Sequence, residues 1–484
     1  MPNKLYLAEQ AREMDRMTIE DYAIPGIDLM RKAGLAVFEI IEQYHPLSAV
    51  AIFCGAGNNA GDGYVAATLA LKSGLSVKVY YLSNPENLKG DASIVYQDFK
   101  QAGGQAAAFK PNLDLGDCIA VDALFGTGLD RDVSGAYAEA ILLINEGACA
   151  VIAIDIPSGL NADTGAVMGC AIKAEKTICF IALKQGLFTG QAAEYCGQII
   201  YSSLDVPDAV FKSFTCASQL MAQPLLAKRR RCAHKGDNGH VLVIGGEIGF
   251  SGAIRLAAEA ALRTGAGLVS IATRASHSGY INMSRAELMC HGVEHVDQLV
   301  PLINRATAIV IGPGLGQSQW AKDLLKCAAD FEKPLIIDAD ALNLLANNPL
   351  YRDNWVLTPH PGEAARLLKC STEQIAKDRF FAVSQLQKKF GGIAVLKGAG
   401  TLIDSGDEIT VSTTGNPGMA SGGMGDVLAG MVGSLAAQKM TLAAAAATAV
   451  YLHGEAADLS AQQSGERGLL ASDLMPYIRE LVNR

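Results

Sequence analysis

The chain alternates short apolar runs with longer segments in which apolar residues recur at helical spacing. The first half has six runs rich in β-branched residues that we predict to be strands: residues 50–54, 77–82, 118–121, 151–156, 177–181 and 199–201. Nearly continuous apolar strands that alternate with helices are typical of a parallel sheet covered on both faces. Before them, residues 4–45 are predicted to be helical, with an interruption at residues 24–26.

A second series of strands follows a less regular stretch. Its members are residues 240–244, 268–272, 308–311, 335–337, 355–357 and 393–396. Residues 206–238 separate the two series and contain two prolines and the basic run 228–231, which we interpret as a solvated linker in preference to a phosphate site. The pattern predicts two α/β domains with a boundary near residues 215–225, the first over 1–215 and the second over 222–484.

Composition and charge narrow the possible partners. A chain of 484 residues exceeds what one core usually supports, and 50% hydrophobic residues with 18% charged ones indicate large cores. The net charge of −9 gives no reason to expect nucleic acid or an anionic membrane as a partner. Charged residues near the start argue against a secretion signal, and no apolar stretch approaches the roughly 20 residues of a membrane helix. We therefore expect a cytoplasmic enzyme whose eleven scattered cysteines are reduced.

A glycine-rich segment, G-A-G-N-N-A-G-D-G at residues 55–63, follows the first predicted strand. Glycines at the carboxyl end of a strand allow backbone N–H groups to approach an anion at a helix N-terminus. The segment also satisfies the dinucleotide fingerprint G-x-G-x-x-A, but no acid for a ribose hydroxyl follows the second strand, at residues 80–84. A Walker P-loop does not fit, because no G-K-[ST] follows. A plain turn is disfavoured, since two Asn and one Asp are costly to bury without a ligand.

Further polar side chains follow other strands of the first domain. Asp122 and Asp155 each end a predicted strand, and Ser158 lies just beyond Asp155. Together with Asn59 they should meet at one edge of a parallel sheet. Oxygen donors of this kind suit a hard cation or a ribose. One of the two aspartates could instead cap a helix, but a binding site is favoured over a capping role for both.

A second glycine-rich segment spans residues 415–430, and most of its glycines cluster directly before an apolar helix predicted from residue 427 to 435. Unobstructed N–H groups and the positive helix end can stabilise charge on a transferring phosphoryl group. Asp426 is placed to take a proton from an attacking hydroxyl. An N-cap role for Asp426 is the alternative, but a cap does not require so many glycines.

Four more strand ends in the second domain carry polar residues, glycine or both: residues 311–316, 337–341, 358–363 and 396–401. His360 lies between two prolines, so substrate contact is favoured over a place in the core. Lys397 follows a buried strand and can reach a phosphate, although an ordinary surface lysine stays possible. His291 and His295 have i,i+4 spacing but no accompanying general base, so a zinc site there is disfavoured.

Three motifs of the first domain resemble the signature loops of NAD(P)H-hydrate epimerases over about residues 1–215. They are N-N-A-G-D-G at 58–63, D-A-L-F-G-T-G at 122–128 and D-I-P-S-G at 155–159. The resemblance implies a potassium ion held by Asn59, Asp122 and Ser158, and a substrate contact by Asp155 at the reacting end. It implies that the first loop holds the phosphate and the ribose of the substrate. The residues that it implies for substrate binding are Asn58, Asn59, Ala60, Gly61, Asp62, Gly126, Thr127, Gly128, Leu129, Asp130, Arg131 and Asp132.

The reaction that this resemblance implies is inversion at the hydroxylated C6 of a hydrated nicotinamide ring. It turns the R epimer into the S epimer, and it needs acid–base assistance as the hydroxyl leaves and returns. Asp155 is the candidate for that role.

The second domain resembles the ribokinase-like NAD(P)H-hydrate dehydratases over roughly residues 222–484. The motifs are H-K-G at 234–236, T-P-H-P-G-E at 358–363, K-G-A-G-T at 397–401 and G-G-M-G-D-V-L-A-G at 422–430. The resemblance implies an adenine nucleotide site formed by Lys397, Gly398, Ala399, Gly400, Thr401 and Gly425. It implies that the hydrated dinucleotide faces Ala253, Gly314, His360 and Asp426.

The implied chemistry begins as a kinase reaction. Asp426 would deprotonate the C6 hydroxyl, which attacks ADP, and the phosphate ester would then eliminate to give NAD(P)H, AMP and phosphate. Magnesium is expected on the ADP phosphates, held mostly by phosphate and water oxygens.

The leading hypothesis is therefore an α/β enzyme of two three-layer domains, a Rossmann-like αβα epimerase and a ribokinase-like αβα dehydratase. Its expected partners are NAD(P)H hydrate, ADP and further copies of itself. One alternative is a small-alcohol or vitamin kinase, which would release a stable phosphorylated product. In another, the first domain is a ligand-binding or interaction module without catalytic activity.

Overall fold

The computed structural model describes residues 2–484 and shows two compact units, the first ending at Gln219 and the second beginning at Leu220. Within the described residues, no helix is both long and apolar enough to cross a membrane. Parallel sheets flanked by helices form both units, so the predicted α/β fold class is confirmed.

The first unit has strands and helices in alternation. Its strands are β1 (Lys4–Tyr6), β2 (Ala49–Cys54), β3 (Val77–Tyr81), β4 (Ala106–Ala108), β5 (Cys118–Ala123), β6 (Ala150–Ile154), β7 (Lys176–Phe180), β8 (Leu183–Lys184) and β9 (Gln198–Ser202), with β10 (Ser218–Leu220) at the division. Its helices are α1 (Ala8–Glu20), α2 (Gly26–Tyr44), α3 (Asn58–Lys72), α4 (Gly90–Gln101), α5 (Ala136–Gly147) and α6 (Asp208–Lys212).

Seven of these strands form a parallel sheet in the order β4-β3-β2-β5-β6-β7-β9. The chain builds the sheet outward from β2, first through β3 and β4 on one side and then through β5, β6, β7 and β9 on the other. The loops that follow β2 and β5 therefore diverge and leave a crevice in which a ligand can bind. The central strands are buried on both faces, as their apolar sequences require. The six predicted strands are all present, with small shifts at their ends.

Residues 4–6 correct the prediction of a helical start. They form β1, which pairs in parallel with β8. Three residues are too few to show a period of two, so only the partner strand decides their conformation. The same reason explains why β4, β8 and β10 escape sequence analysis.

The second unit continues the alternation. Its strands are β11 (His240–Ile244), β12 (Leu268–Thr273), β13 (Met289–Gly292), β14 (Ala308–Ile311), β15 (Leu335–Ile337), β16 (Trp355–Leu357), β17 (Ile393–Leu396), β18 (Leu402–Asp404) and β19 (Ile409–Val411). Its helices are α7 (Ser251–Arg263), α8 (Ala275–Ser278), α9 (Val296–Arg305), α10 (Gln319–Ala329), α11 (Ala339–Asn347), α12 (Pro361–Leu368), α13 (Thr372–Lys377), α14 (Arg379–Phe390), α15 (Met424–Ala437), α16 (Leu442–Ser464) and α17 (Leu474–Leu481).

The strands of this unit follow the order β13-β12-β11-β14-β15-β16-β17-β18-β19. Those from β13 to β17 are parallel, and β18 and β19 extend the sheet antiparallel. Helix α15 lies deep in the core, because Gly430 and Gly433 have no side chain to hold it away from Ala257 of α7 and Val310 of β14. That close packing fixes the N-terminus of α15 at the carboxyl edge of the sheet.

Candidate active sites

A cavity of about 470 Å³ opens at the carboxyl ends of the strands in the first unit. Two of the predicted substrate loops contribute to its wall, through Asn58, Asn59 and Asp62 and through residues 126–129. The opposite wall is largely apolar and includes Leu29, Phe180 and Leu204. A cavity with a polar loop and an apolar wall suits a ligand that has both phosphates and a ring.

Only the first part of the glycine-rich segment 55–63 forms a loop at this cavity. Helix α3 begins at Asn58, so the motif 58–63 forms its first turns and Gly57 is the N-cap. Gly61 packs against Met30, where an added Cβ would stand 2.6 Å from the sulfur. The helix N-terminus borders the cavity, which supports the predicted anion contact.

Not every residue that the epimerase resemblance implies lines the cavity. Ala60 and Gly61 are buried and do not line it, and neither do Asp130, Arg131 and Asp132. Their contribution to substrate binding stays a prediction.

Asn59, Asp122 and Ser158 do meet, around the main chain of Phe125. The Ser158 hydroxyl donates to Asp122 Oδ1 at 2.7 Å, and the Ser158 N–H donates to Asp122 Oδ2 at 2.7 Å. The amide of Asn59 donates to the Phe125 carbonyl at 3.0 Å. Four kinds of oxygen therefore lie together: carboxylate, hydroxyl, amide and main-chain carbonyl.

Asp122 is fully buried, and none of the described Lys, Arg or His side chains pairs with it. Burial raises its pKa to about 6, although hydrogen bonds from Ser158 and Leu124 oppose the shift. A buried carboxylate without a counter-charge is costly. A bound monovalent cation would supply that charge, so the donor set fits potassium.

Asp155 lies in the cavity wall directly after β6 and has a φ of 67°, unusual for a residue with a side chain. Its Oδ1 accepts a hydrogen bond from the main-chain N–H of Phe180 at 3.2 Å and forms an ion pair with Lys184. Burial favours the neutral amine of Lys184, but the charge of Asp155, the nearby Cys179 and the hydrogen bonds to both together keep the pKa of Lys184 above its usual value. Strained backbone that is held by a buried ion pair is typical of a functional site.

Two other carboxyl groups share this cavity. Asp15 on α1 and Asp62 on α3 have neither a hydrogen bond nor an ion pair with any described residue. Burial and the nearby charge of Asp155 raise the pKa of both groups. The cavity therefore holds one carboxylate paired with a lysine and two carboxyl groups without a cationic partner, whose pKa values are raised.

The second site lies at the N-terminus of α15. This helix begins at Met424 rather than at residue 427, so Gly425 and Asp426 belong to its first turn. The N-cap is Gly423, at φ 92°, and no side chain caps the helix. The N-cap alternative for Asp426 is therefore excluded. The Asp426 carboxyl forms no hydrogen bond or ion pair with a described residue, and burial beside Asp338 raises its pKa to about 7.

Lys397 and two acids converge on the same edge of the sheet. Lys397 Nζ lies 2.9 Å from Asp338 Oδ1 and 3.9 Å from Glu363 Oε2. Asp338 is also held by the Thr358 hydroxyl, at 2.8 Å. Burial raises the pKa of Glu363 to about 7 despite the ammonium of Lys397. Lys397 is thus a positioned cation and not an ordinary surface lysine.

His360 has a structural role that the sequence did not indicate. Its Nδ1 accepts the N–H of Gly362 at 3.0 Å and so caps α12. The ring is about half exposed, with Nε2 3.5 Å from Glu363 Oε1. Burial, Lys397 and Arg366 lower the pKa of His360. The ring is outside the core, as predicted, and its substrate contact stays a prediction.

Ala253 and Gly314 are neighbours in the structure. An added Cβ on Gly314 would stand 3.3 Å from the Cβ of Ala253 and 2.6 Å from the Phe250 carbonyl.

The segment 397–401 connects β17 to β18, and Thr401 Oγ1 closes it by donating to the Gly398 carbonyl at 2.9 Å. The structure thus gathers the predicted nucleotide residues Lys397 and Gly425 beside Asp426.

Comparisons with known proteins cover both units. A family model described as NAD(P)H-hydrate dehydratase matches residues 241–480, and one described as YjeF-related protein N-terminus matches residues 26–186. A solved structure of a hypothetical protein from Streptococcus mutans is 31% identical with a TM-score of 0.50, covering 53% of this chain and 94% of that one.

Full-length relatives decide the family. The bifunctional NAD(P)H-hydrate repair enzyme of Coxiella burnetii is 47% identical over 99% of this chain and 99% of its own length. That of Escherichia coli is 41% identical over 100% of this chain and 95% of its own length. The chain belongs to this family of bifunctional NAD(P)H-hydrate repair enzymes. The kinase alternative, with a non-catalytic first domain, is not favoured.

Within this repair-enzyme chain, four residues of the two sites escaped sequence analysis: Asp15, Lys184, Asp338 and Glu363. Glu363 and Asp338 lie in motifs that were noted, but no role followed from their positions. Lys184 begins no glycine-rich loop, and Asp15 is one charge among several on α1. Of the four, Lys184 alone has a sequence signal that could have found it, because a lysine that directly follows the apolar run 178–183 needs a partner when buried.

Proposed function

We propose that this chain repairs hydrated NADH and NADPH by two reactions. One interconverts the R and S epimers at C6, and the other dehydrates the S epimer to NAD(P)H while ADP becomes AMP and phosphate. The observation that carries the proposal is that each unit has a carboxyl group at the carboxyl edge of its sheet, Asp155 in the first and Asp426 in the second, to which we assign the acid–base roles. Family membership over the whole chain supports the pairing of the two reactions.

In the second unit, Asp426 acts as the base. Its carboxylate removes the proton of the C6 hydroxyl, whose oxygen attacks the terminal phosphoryl of ADP, and the bond to AMP breaks. The ring nitrogen then expels phosphate from C6, and loss of a proton from C5 restores the double bond. A base with a pKa of about 7 is matched to neutral pH.

The residues around Asp426 support a nucleotide at this point. Lys397 carries a positive charge toward the phosphates, and the N–H groups at the start of α15 face developing negative charge. The segment 397–401 and Gly425 bind the adenine nucleotide, and Ala253, Gly314 and His360 face the hydrated dinucleotide. Magnesium, when bound to the phosphates, neutralises part of their charge.

In the first unit, the cavity binds the substrate through the start of α3 and residues 126–129. Asn59, Asp122 and Ser158 hold potassium beside these loops, which neutralises the buried carboxylate and fixes the loop at Phe125. Asp155 assists the departure and return of the C6 hydroxyl. We also infer ADP over ATP as phosphoryl donor, a homo-oligomer and a cytoplasmic location.

One assay separates the two activities. A mixture of R and S hydrated NADH is incubated with the protein, with and without ADP and magnesium, and NADH is measured by absorbance. Recovery of all the NADH is expected with ADP. Recovery of the S fraction alone would contradict epimerisation, and no recovery would contradict repair altogether.

A further inference from the structure

Epimerisation needs two proton carriers, and the proposed function names only one. As the C6 hydroxyl leaves, a group must protonate it, and a second group must accept a proton from the water that adds to the other face of the ring. The cavity offers Asp155, Asp15 and Asp62 as candidates. Their surroundings differ, which allows a choice.

Asp15 is placed in the cavity by a well-fixed helix. Ala11, Asp15 and Ile19 are spaced four residues apart on α1 and all line the cavity. Arg12 on the same helix donates to the Thr127 carbonyl at 3.1 Å, so α1 is tied to one of the proposed substrate loops. The N–H of Ala8 donates to the Asp163 carboxyl at 2.7 Å and fixes the start of the helix. These two contacts hold Asp15 against the site.

The charges that surround the two unpaired carboxyl groups distinguish them. Asp15 lies within the field of both members of the Asp155–Lys184 pair and of Asp91. Asp62 lies within the field of Asp155 and Asp15 but belongs to the segment proposed to bind ribose and phosphate. Of the two, Asp15 is thus the one that lies outside the segment proposed to bind ribose and phosphate.

We infer that Asp15 is the second catalytic residue of the epimerase site and works with Asp155 as a two-carboxyl acid–base pair. This inference rests on the proposed epimerase function. Asp155 pairs with the ammonium of Lys184, whereas Asp15 lines the same cavity with no cationic partner of its own, and burial raises the pKa of Asp15. Two carboxyl groups whose surroundings separate their proton affinities form an acid and a base.

The chemical step balances with these two groups. The neutral Asp15 carboxyl gives its proton to the C6 hydroxyl, the C6–O bond breaks as the N1 lone pair forms C6=N1, and water departs. A water molecule adds to C6 from the other face, its proton passes to Asp155, and the N1 lone pair is restored. The reverse reaction exchanges the two roles, and proton exchange with solvent resets the pair.

The test compares Asp15→Asn, Asp15→Glu and the control Asp21→Asn, which lies exposed at the end of the same helix. Rates of R-to-S conversion are measured by chromatography, and ADP-dependent dehydration of the S epimer on the same chain reports an intact protein. We expect Asp15→Asn to lower kcat about 100-fold or more with KM changed less than about threefold. Asp15→Glu should recover part of that loss, and Asp21→Asn should match the wild type.

The pH profile distinguishes a proton carrier from a merely structural residue. The charged groups that face Asp15 are Asp155, Asp91, Asp62, Lys184 and Arg12. For the wild type we expect a bell-shaped kcat/KM, because the pair must hold a single proton, and for Asp15→Asn one limb should disappear. Unchanged kcat, a change in KM alone, or an unaltered bell in Asp15→Asn would overturn the inference. A wild type without epimerisation would overturn the proposed function as well.

Discussion

Lys397 Nζ lies 2.9 Å from Oδ1 of the buried Asp338, and this ion pair forms the floor beneath the first turn of α15. Lys397 directly follows β17 and Asp338 directly follows β15, so the ends of two strands that are not consecutive in sequence supply the pair. The ion pair leaves little room between itself and α15, and the nearest residue of that helix is Gly425.

Gly425→Ala should impair dehydration because the new Cβ would stand 3.0 Å from Lys397 Nζ and 3.6 Å from Asp338 Oδ2. We expect a loss of about tenfold or more in kcat/KM for ADP, since a displacement of about 1 Å can cost up to 100-fold. Initial rates of NADH formation from the S epimer measure it. The control is Gly279→Ala, where an added Cβ meets nothing within 4 Å. Wild-type kinetics in Gly425→Ala would show that the ammonium group moves freely.

The dehydration rate should rise with pH and reach half its maximum near pH 7. Asp426 acts as a base only when ionised, and its pKa is raised to about 7, so activity is lost as the pH falls through that value. Asp338, Asp340, Glu363 and Lys397 are the charged groups that influence it.

The matching variant is Asp426→Asn, with the exposed Asp407→Asn as its control. We expect a loss of 10²–10⁴-fold in dehydration with epimerisation retained. Single-turnover rates across pH 5.5–9 are the measurement. Substantial dehydration by Asp426→Asn would remove Asp426 as the base.

Lys184→Met should abolish most epimerisation. The substitution keeps the approximate length of the side chain but removes the ammonium that holds Asp155 Oδ1 in place, so the carboxyl group loses its fixed position in the cavity wall. We expect kcat for R-to-S conversion to fall at least tenfold while dehydration of the S epimer is unchanged. Lys173→Met, at an exposed position, is the control. Equal rates in both variants would contradict a role for the ion pair.

Potassium should stabilise the first unit through Asp122. Because the ion would neutralise a buried carboxylate that has no cationic side chain, thermal unfolding should shift upward by a few degrees in KCl relative to choline chloride. Asp122→Asn removes the charge, and the difference between the two salts should vanish. Asp117→Asn, exposed just before the same strand, should keep it. An identical shift in both variants would place the potassium effect elsewhere.

The sequence by itself determined the two-domain α/β organisation, because buried parallel strands must be apolar along their whole length and stand out as such. It also predicted the candidate loops: Asp155 and Asp426 lie in segments where glycine and acidic residues replace apolar ones. These features depend on the local pattern of residues, so they can be predicted without knowledge of the tertiary contacts.

Only the tertiary structure decided which charges act together. Lys184 joins Asp155 across 29 positions of sequence, Lys397 joins Asp338 across 59, and Asp15 reaches the cavity from a helix that precedes the sheet. The start of α15 at Met424, which removes the N-cap explanation of Asp426, likewise depends on close packing against α7. Burial and the distance between charges set proton affinities, and both are properties of the folded chain.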